Sequence, residues 1–342
     1  MGRIGIIGAG AWGTALAIVA REAGHTVLLW AREPEVIEAI NSRHENEIFL
    51  PGLGLDPAIR ATGNCAEAAD ADLILFAVPA QFLRRAARDT APGWQAGTAA
   101  VICSKGIEHR TCALMSEVIA ECLPDVPIAV LSGPSFAAEV ARAHPTAVTL
   151  ACADAALRQA IPAMLGTTLF RIYSHDDVIG AEVGGAVKNV LAIACGIVAG
   201  RRFGNNARAA LITRGLAEMA RLAIAKGARP DTLMGLSGLG DLVLTCTTMD
   251  SRNYSLGVAL GQGRALSEVL ASRRSVAEGV FSAGSVAALA RRLGVDMPIC
   301  FAVDAVLNAG ADIDAAIADL LARPQTEERP AGMPVHTESL AT

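Results

Sequence analysis

Short apolar runs alternate with helix-periodic stretches over the first half of the chain. RIGIIG, HTVLLW, LILFAV, AAVICS, PIAVLS and AVTLAC read as β-strands, and the amphipathic stretches between them as crossover helices. To about residue 150 this pattern predicts a parallel sheet. TTLFRIYS is a candidate further strand. Beyond Val178 the β-runs nearly vanish, and the rest reads as helices separated by Gly-containing turns, among them GLSGLG and the loop from Thr247 to Asn253. The expected organisation is an α/β domain over 1–180, an all-helical domain over 181–325, and a disordered tail over 326–342, at the end of the polar, Pro-containing run PQTEERPAGMPVHTESLAT.

Composition narrows the class. With 342 residues, 52% of them hydrophobic, the chain has enough apolar material for two medium cores. Its net charge of -5 comes from interspersed acids and bases, without a block of like charge, which argues against a nucleic-acid surface. The 8 cysteines stand singly, with no C-x-x-C and no clustered His, so they read as reduced small hydrophobes of a cytoplasmic protein and not as metal ligands. The first apolar run is broken by glycines and reads as a strand, not as a secretion signal. Ile6 stands where a myristoylation signal wants Ser or Thr.

One segment tests that picture. Residues 183–200, VGGAVKNVLAIACGIVAG, approach the roughly 20 residues of a bilayer span. Lys188 lies near the middle, where an ionised Lys costs about 2.5 kcal/mol or more on insertion scales. A buried helix of a soluble domain, with no stable membrane insertion, is the expectation.

The stretch GIIGAGAWGTALA places Gly8, Gly10 and Gly13 between the first strand and a helical pattern. In that context the first glycine permits a tight turn, the second lets backbone approach a pyrophosphate, and the third lets helix pack on sheet. The following helix N-terminus supplies unpaired N–H groups to phosphates. A dinucleotide is the expected ligand. At the end of the second strand Arg32 suits the 2′-phosphate of NADP, while Glu33 suits the 2′-hydroxyl of NAD, so both cofactors stay open.

Ligands of such sheets bind beyond the carboxyl ends of the strands. VPAQ, SKG and SGPSFAAEV follow three of them. Lys105 stands at one strand mouth, placed for a phosphate or an oxyanion, or as a plain surface Lys. Gly133 and Ser135 form a turn that offers N–H groups and a hydroxyl to an anion, although a helix cap explains Ser135 equally well. Lys188, an ammonium in an apolar run, has its pKa lowered by desolvation towards the range useful for proton transfer. Asp241 is a candidate to hold it. Ser251, Arg252 and Asn253 form a compact donor set suited to a phosphate monoester or to the pyrophosphate of the cofactor.

GAGAWGTALA, FAVPAQ, SKGIE, LSGPSFAAEV, GAVKNVLAIACGI, GLSGLGDLVLTC, SRNYSLG and VAEGV, in this order from the first strand to about residue 325, resemble NAD(P)-dependent glycerol-3-phosphate dehydrogenase of the bacterial type. The resemblance implies a Rossmann domain followed by a helical domain. It also implies reversible reduction of dihydroxyacetone phosphate to sn-glycerol 3-phosphate, supplying glycerophospholipid synthesis, with NADP or NAD as cofactor. Lys188 matches the family's acid/base. Lys105, Gly133, Ser135, Lys188, Asp241, Ser251, Arg252 and Asn253 match its substrate positions. Gly8, Gly10 and Gly13 belong to its glycine turn, and Ala11, Trp12, Arg32, Lys105, Ala137, Arg252, Val276 and Glu278 match cofactor positions. Ala11 is often Ser in relatives.

Two rivals share parts of this pattern. A dehydrogenase of the β-hydroxyacid or ketopantoate type has a Rossmann start and a catalytic Lys in a helical domain, but takes a carboxylate. A non-catalytic NAD(P)-binding sensor needs the glycines and not Lys188, Asp241 or Arg252. The apolar helical half makes a homodimer the expected assembly.

Overall fold

A computed structural model describes residues 1–271 and 278–324. Its strands are β1 (Arg3–Ile7), β2 (Thr26–Trp30), β3 (Glu45–Asn46), β4 (Leu50–Gly54), β5 (Ile59–Thr62), β6 (Leu73–Phe76), β7 (Ala99–Ile102), β8 (Ile128–Ser132), β9 (Thr146–Cys152) and β10 (Phe170–His175). Eight of them form one sheet in the order β10-β9-β8-β7-β6-β1-β2-β5, while β3 and β4 make a separate antiparallel hairpin. The chain runs outward from β1 to β2 and β5, then returns to the other side of β1 with β6. Strand order therefore reverses at β1, which opens a crevice at the carboxyl ends of the strands.

Alternation along the strands explains why their runs are apolar throughout. Ile4, Ile6, Leu73, Leu75 and Val101 pack on one face with the helix Ala11–Glu22, while Ile7, Ile74, Phe76 and Ile102 pack on the other with Leu83, Val118 and Ile119. A strand covered on both faces buries every position, as β6 and β7 do. The Rossmann domain of the sequence reading is present, with two departures. β9 pairs antiparallel to β8, and β10 runs parallel to β9. Between β8 and β9 the only helix is the four-residue Ala137–Val140, too short to carry the chain back across the sheet. The second departure is the hairpin β3–β4 together with the edge strand β5, short elements whose exposed, polar or Gly- and Pro-containing positions gave no apolar run to read.

After β10 the described chain is helical. The helix Val178–Gly200 is long and apolar enough to cross a membrane by composition, yet its residues from Gly180 to Val198 are buried by the helices around it. Helices Gly204–Ala225, Asp241–Thr247, Arg252–Gly261 and Glu278–Leu293 pack against it, with Leu191, Ile193, Met219, Leu222, Leu242, Leu256 and Val286 in one core. Close approach is built in by small residues. A Cβ on Gly196 would lie 2.1 Å from the Tyr254 carbonyl, and one on Gly257 2.1 Å from the Ile193 carbonyl. The stretches read as turns are partly helical: GLSGLG winds as a wide helical turn, Leu236–Gly240, and Thr247 ends one helix just before Ser251 caps the next. The tail 326–342 and Val276 lie outside the described residues.

Candidate active site

Lys188 occupies the middle of the Val178–Gly200 helix, which begins where the Asp177 carboxylate accepts the Gly180 N–H. The other Asp177 oxygen accepts from Arg229 N and Thr232 Oγ1, so the start of the helix is tied to the helical domain. Opposite Lys188 the wide turn Leu236–Gly240 delivers Asp241 as the first residue of its helix. Lys188 Nζ donates to Asp241 Oδ1 at 2.5 Å and to Thr245 Oγ1 at 3.0 Å. Thr245, one turn along, donates its own hydrogen bond to the Asp241 carbonyl at 2.6 Å, which leaves its lone pairs to the ammonium.

The second oxygen of Asp241 accepts from Lys105 Nζ at 2.6 Å. Lys105 follows β7 and also donates to the Gly133 carbonyl at 3.1 Å, so the ends of β7 and β8 meet the helical domain at one carboxylate. Gly185, one turn before Lys188, makes this contact possible: a Cβ there would stand 3.1 Å from Ser132 Oγ and 3.3 Å from Lys105 Cγ. Asp241 is 1% exposed and carries an ammonium on each oxygen. Burial pushes the Lys188 ammonium down to about 8; Asp241 opposes that shift and the like charge of Lys105 adds to it.

The remaining substrate candidates surround this centre at different removes. Ser135 Oγ donates to the Gly133 carbonyl at 3.0 Å; Phe136, not Ser135, stands at the cap of the next helix, so the cap reading of Ser135 falls. Asn253 is buried with its amide committed on both sides, donating to Asn189 Oδ1 at 3.0 Å and accepting from Gly279 N at 3.0 Å. Ser251 is buried and caps its helix by accepting from Tyr254 N. Arg252 is exposed between them; burial raises the Glu278 carboxyl above the usual carboxylate range, and the charges of Arg252, Lys105 and Lys188 oppose that rise.

At the glycine turn, Gly8 adopts φ +119 with the Ala77–Val78 backbone 2.9 Å from where a Cβ would be, and a Cβ on Gly13 would fall 1.8 Å from the Gly8 carbonyl. Gly10 faces open space. That is the cradle a pyrophosphate requires. Trp12 and Ala137 border the same side of the sheet, and the buried indole Nε1 of Trp12 makes no hydrogen bond among the described residues. Ala11 opens the helix that begins beside the turn. Arg32 lies beyond the end of β2, exposed and paired with Glu33.

Three residues escaped the sequence reading. Thr245 had a signal, since it sits at i+4 from Asp241 on a helix and so shares its face. Asn189 adjoins Lys188 and anchors Asn253, but adjacency on a helix does not by itself place a residue. Asn46 had none. Its amide reaches back from the β3–β4 hairpin to donate to the Ala9 carbonyl at 2.9 Å and to Thr14 Oγ1 at 2.8 Å, and so fixes the glycine turn from outside.

Comparison with known proteins identifies the family of this fold. The family model described as NAD-dependent glycerol-3-phosphate dehydrogenase N-terminus matches residues 3–158, and that of the C-terminus matches residues 177–318. The glycerol-3-phosphate dehydrogenase (NAD(P)+) of Caulobacter vibrioides is 59% identical over 326 residues, covering 95% of this chain and 98% of the relative. That of Paramagnetospirillum magneticum is 66% identical over 255 residues, 75% of this chain and 93% of the relative. The crystal structure of glycerol-3-phosphate dehydrogenase from Coxiella burnetii superposes with a TM-score of 0.91 at 40% identity, covering 94% of this chain and 99% of that one. With a Rossmann domain, a helical domain and a Lys–Asp–Lys cluster between them, the chain belongs to the NAD-dependent glycerol-3-phosphate dehydrogenase family.

Proposed function

We propose that the chain reduces dihydroxyacetone phosphate to sn-glycerol 3-phosphate, reversibly, at a centre formed by Lys188, Asp241 and Lys105. The observation that carries this reading is the buried ammonium of Lys188, pushed down to about 8 and held by one oxygen of Asp241 while Lys105 holds the other. The nicotinamide cofactor, when bound, supplies the hydride. What the chain supplies is a proton and a fixed electrostatic field. Asp241 and Thr245 use two of the three N–H donors of Lys188, and the third is left for a ketone oxygen. An ammonium there stabilises the developing alkoxide and then gives up its proton, a step favoured by a pKa near the working pH. In the reverse direction the amine accepts the proton of the alcohol.

Lys105, Gly133, Ser135, Ser251, Arg252 and Asn253 are assigned to the substrate, chiefly to its phosphate. Binding energy from a group that does not react then orients the carbonyl at Lys188. Gly8, Gly10, Ala11, Trp12, Gly13, Arg32, Ala137 and Glu278, with Lys105 and Arg252 shared, are assigned to the dinucleotide, and Val276 completes that set from outside the described residues. The fit of the glycine turn supports the assignment: Gly10 leaves room that a side chain would fill, and the buried Trp12 Nε1 has a donor to spare. The reading also divides the chain near residue 180 and takes the enzyme as a cytoplasmic homodimer without stable membrane insertion, whose product feeds glycerophospholipid synthesis. Exposed Phe203, Met234 and Met249 on the helical half are apolar surface that a second copy would cover.

The test is NADH or NADPH absorbance on adding dihydroxyacetone phosphate to the purified protein. Rapid oxidation is expected, with no turnover of an unphosphorylated 3-keto or 2-keto acid. Turnover of such an acid and none of the phosphate ester would transfer the chain to the hydroxyacid type.

A further inference from the structure

The family reading admits either dinucleotide, and the end of β2 contains the features that choose between them. Beyond Trp30 the chain passes through Ala31 to Arg32 and Glu33, then enters the helix Pro34–Glu38. Arg32 turns onto its neighbour: its Nε and a terminal nitrogen both donate to Glu33 Oε1, at 3.1 and 2.8 Å. The Glu33 carboxylate caps no N–H of its own helix, so its other oxygen is uncommitted to the backbone. Pro34, the first helical residue, has no N–H to offer an anion. The segment 32–38, REPEVIE, holds one cation and three acids, Glu33, Glu35 and Glu38. The next cation along the chain, Arg43, is held by Glu45 at 2.6 Å.

We propose that Glu33 sets the cofactor preference, so that the chain takes NADH over NADPH. The proposal rests on the assignment of the glycine turn to a dinucleotide, which brings the adenosine ribose to the end of β2. A ribose 2′-hydroxyl donates to the Glu33 carboxylate at no charge cost. A 2′-phosphate, by contrast, has to draw Arg32 away from Glu33 and then sit beside that carboxylate. Because Arg32 is 72% exposed, its ion pair is weak and can be broken, so NADPH is accepted but at a disadvantage.

The experiment measures Kd for NADH and NADPH by titrating the tryptophan fluorescence of the full chain, together with kcat/KM for each cofactor with dihydroxyacetone phosphate. NADH is expected to lead by at least about tenfold in both. Glu33→Gln is expected to narrow the gap by about tenfold, chiefly by improving NADPH. Equal use of the two cofactors by the natural chain, a lead for NADPH, or a Glu33→Gln variant that moves both alike would overturn the assignment of Glu33. Failure to bind either dinucleotide would instead remove the reading of the glycine turn on which the proposal depends.

Discussion

Replacing Asp241 by Asn removes one charge from the centre with almost no change of shape. In the natural chain Lys188 is buried, and Asp241 is what keeps its ammonium from falling further than about 8. Opposite charges 4 Å apart attract by about 4 kcal/mol at an effective dielectric near 20. Removing one partner of a buried pair costs about 3–5 kcal/mol. At about 1.4 kcal/mol per tenfold, even the lower figure cuts the ammonium-to-amine ratio of Lys188 roughly a hundred-fold. At about pH 7 that takes Lys188 from mostly ammonium to mostly amine, a drop in ammonium of roughly 10-fold. The rate of ketone reduction falls by at least that factor, because the proton donor is scarce. It recovers as the pH is lowered, whereas the natural enzyme loses ketone reduction only as pH rises through about 8. Oxidation of glycerol 3-phosphate, which needs the amine, suffers less near neutrality. Steady-state NADH absorbance at saturating substrate, from about pH 5 to about pH 9 at constant ionic strength, separates these limbs. A variant whose pH profile superimposes on that of the natural enzyme would refute the coupling of Asp241 to Lys188.

Two further outcomes probe the scaffold. Glu182 is buried six residues before Lys188, accepts from Ser116 N at 2.7 Å and bonds Ser116 Oγ at 2.5 Å, and its carboxyl is pushed by burial from 4.5 to about 7. The folded chain therefore holds a proton that the unfolded chain releases, and stability drops by about 3 kcal/mol as pH rises from about 4.5 to about 7. Glu182→Gln keeps both hydrogen bonds and should flatten this drop in chemical denaturation, whereas a constant offset between variant and parent at every pH would contradict it. Gly13→Ala places a methyl group 1.8 Å from the Gly8 carbonyl, and is predicted to weaken NADH binding at least about a hundred-fold by displacing the turn. Unchanged affinity by fluorescence titration would show that the turn does not carry the cofactor.

Periodicity and local chemistry reached different depths in this chain. The six apolar runs were visible because strands covered on both faces keep few polar positions, as the burial of Ile4, Ile6 and Ile7 illustrates, whereas β10, at the sheet edge, alternates with exposed polar residues. Direction was not visible in β9, because AVTLAC reads the same whichever way it pairs, and only the short link after Ser132 decides. Lys188 was legible because an ammonium inside an apolar run is costly wherever it lies. Its partner Asp241 was readable only as a candidate, since a carboxylate after glycines looks like any turn residue until the wide turn is seen to aim it. Thr245 shares a helix face with Asp241, which spacing does show, but its contact with Lys188 spans 57 residues and that of Asn46 with Thr14 spans 32, separations over which spacing carries no information.

The central claim is that Lys188 is the proton donor and acceptor, and Lys188→Ala tests it most directly. NADH affinity and kcat are measured on the same folded preparation. The account predicts that dinucleotide binding persists while kcat with dihydroxyacetone phosphate falls by roughly a hundred- to ten-thousand-fold, the usual worth of a general acid. Turnover close to that of the natural chain in a variant that binds NADH would contradict it.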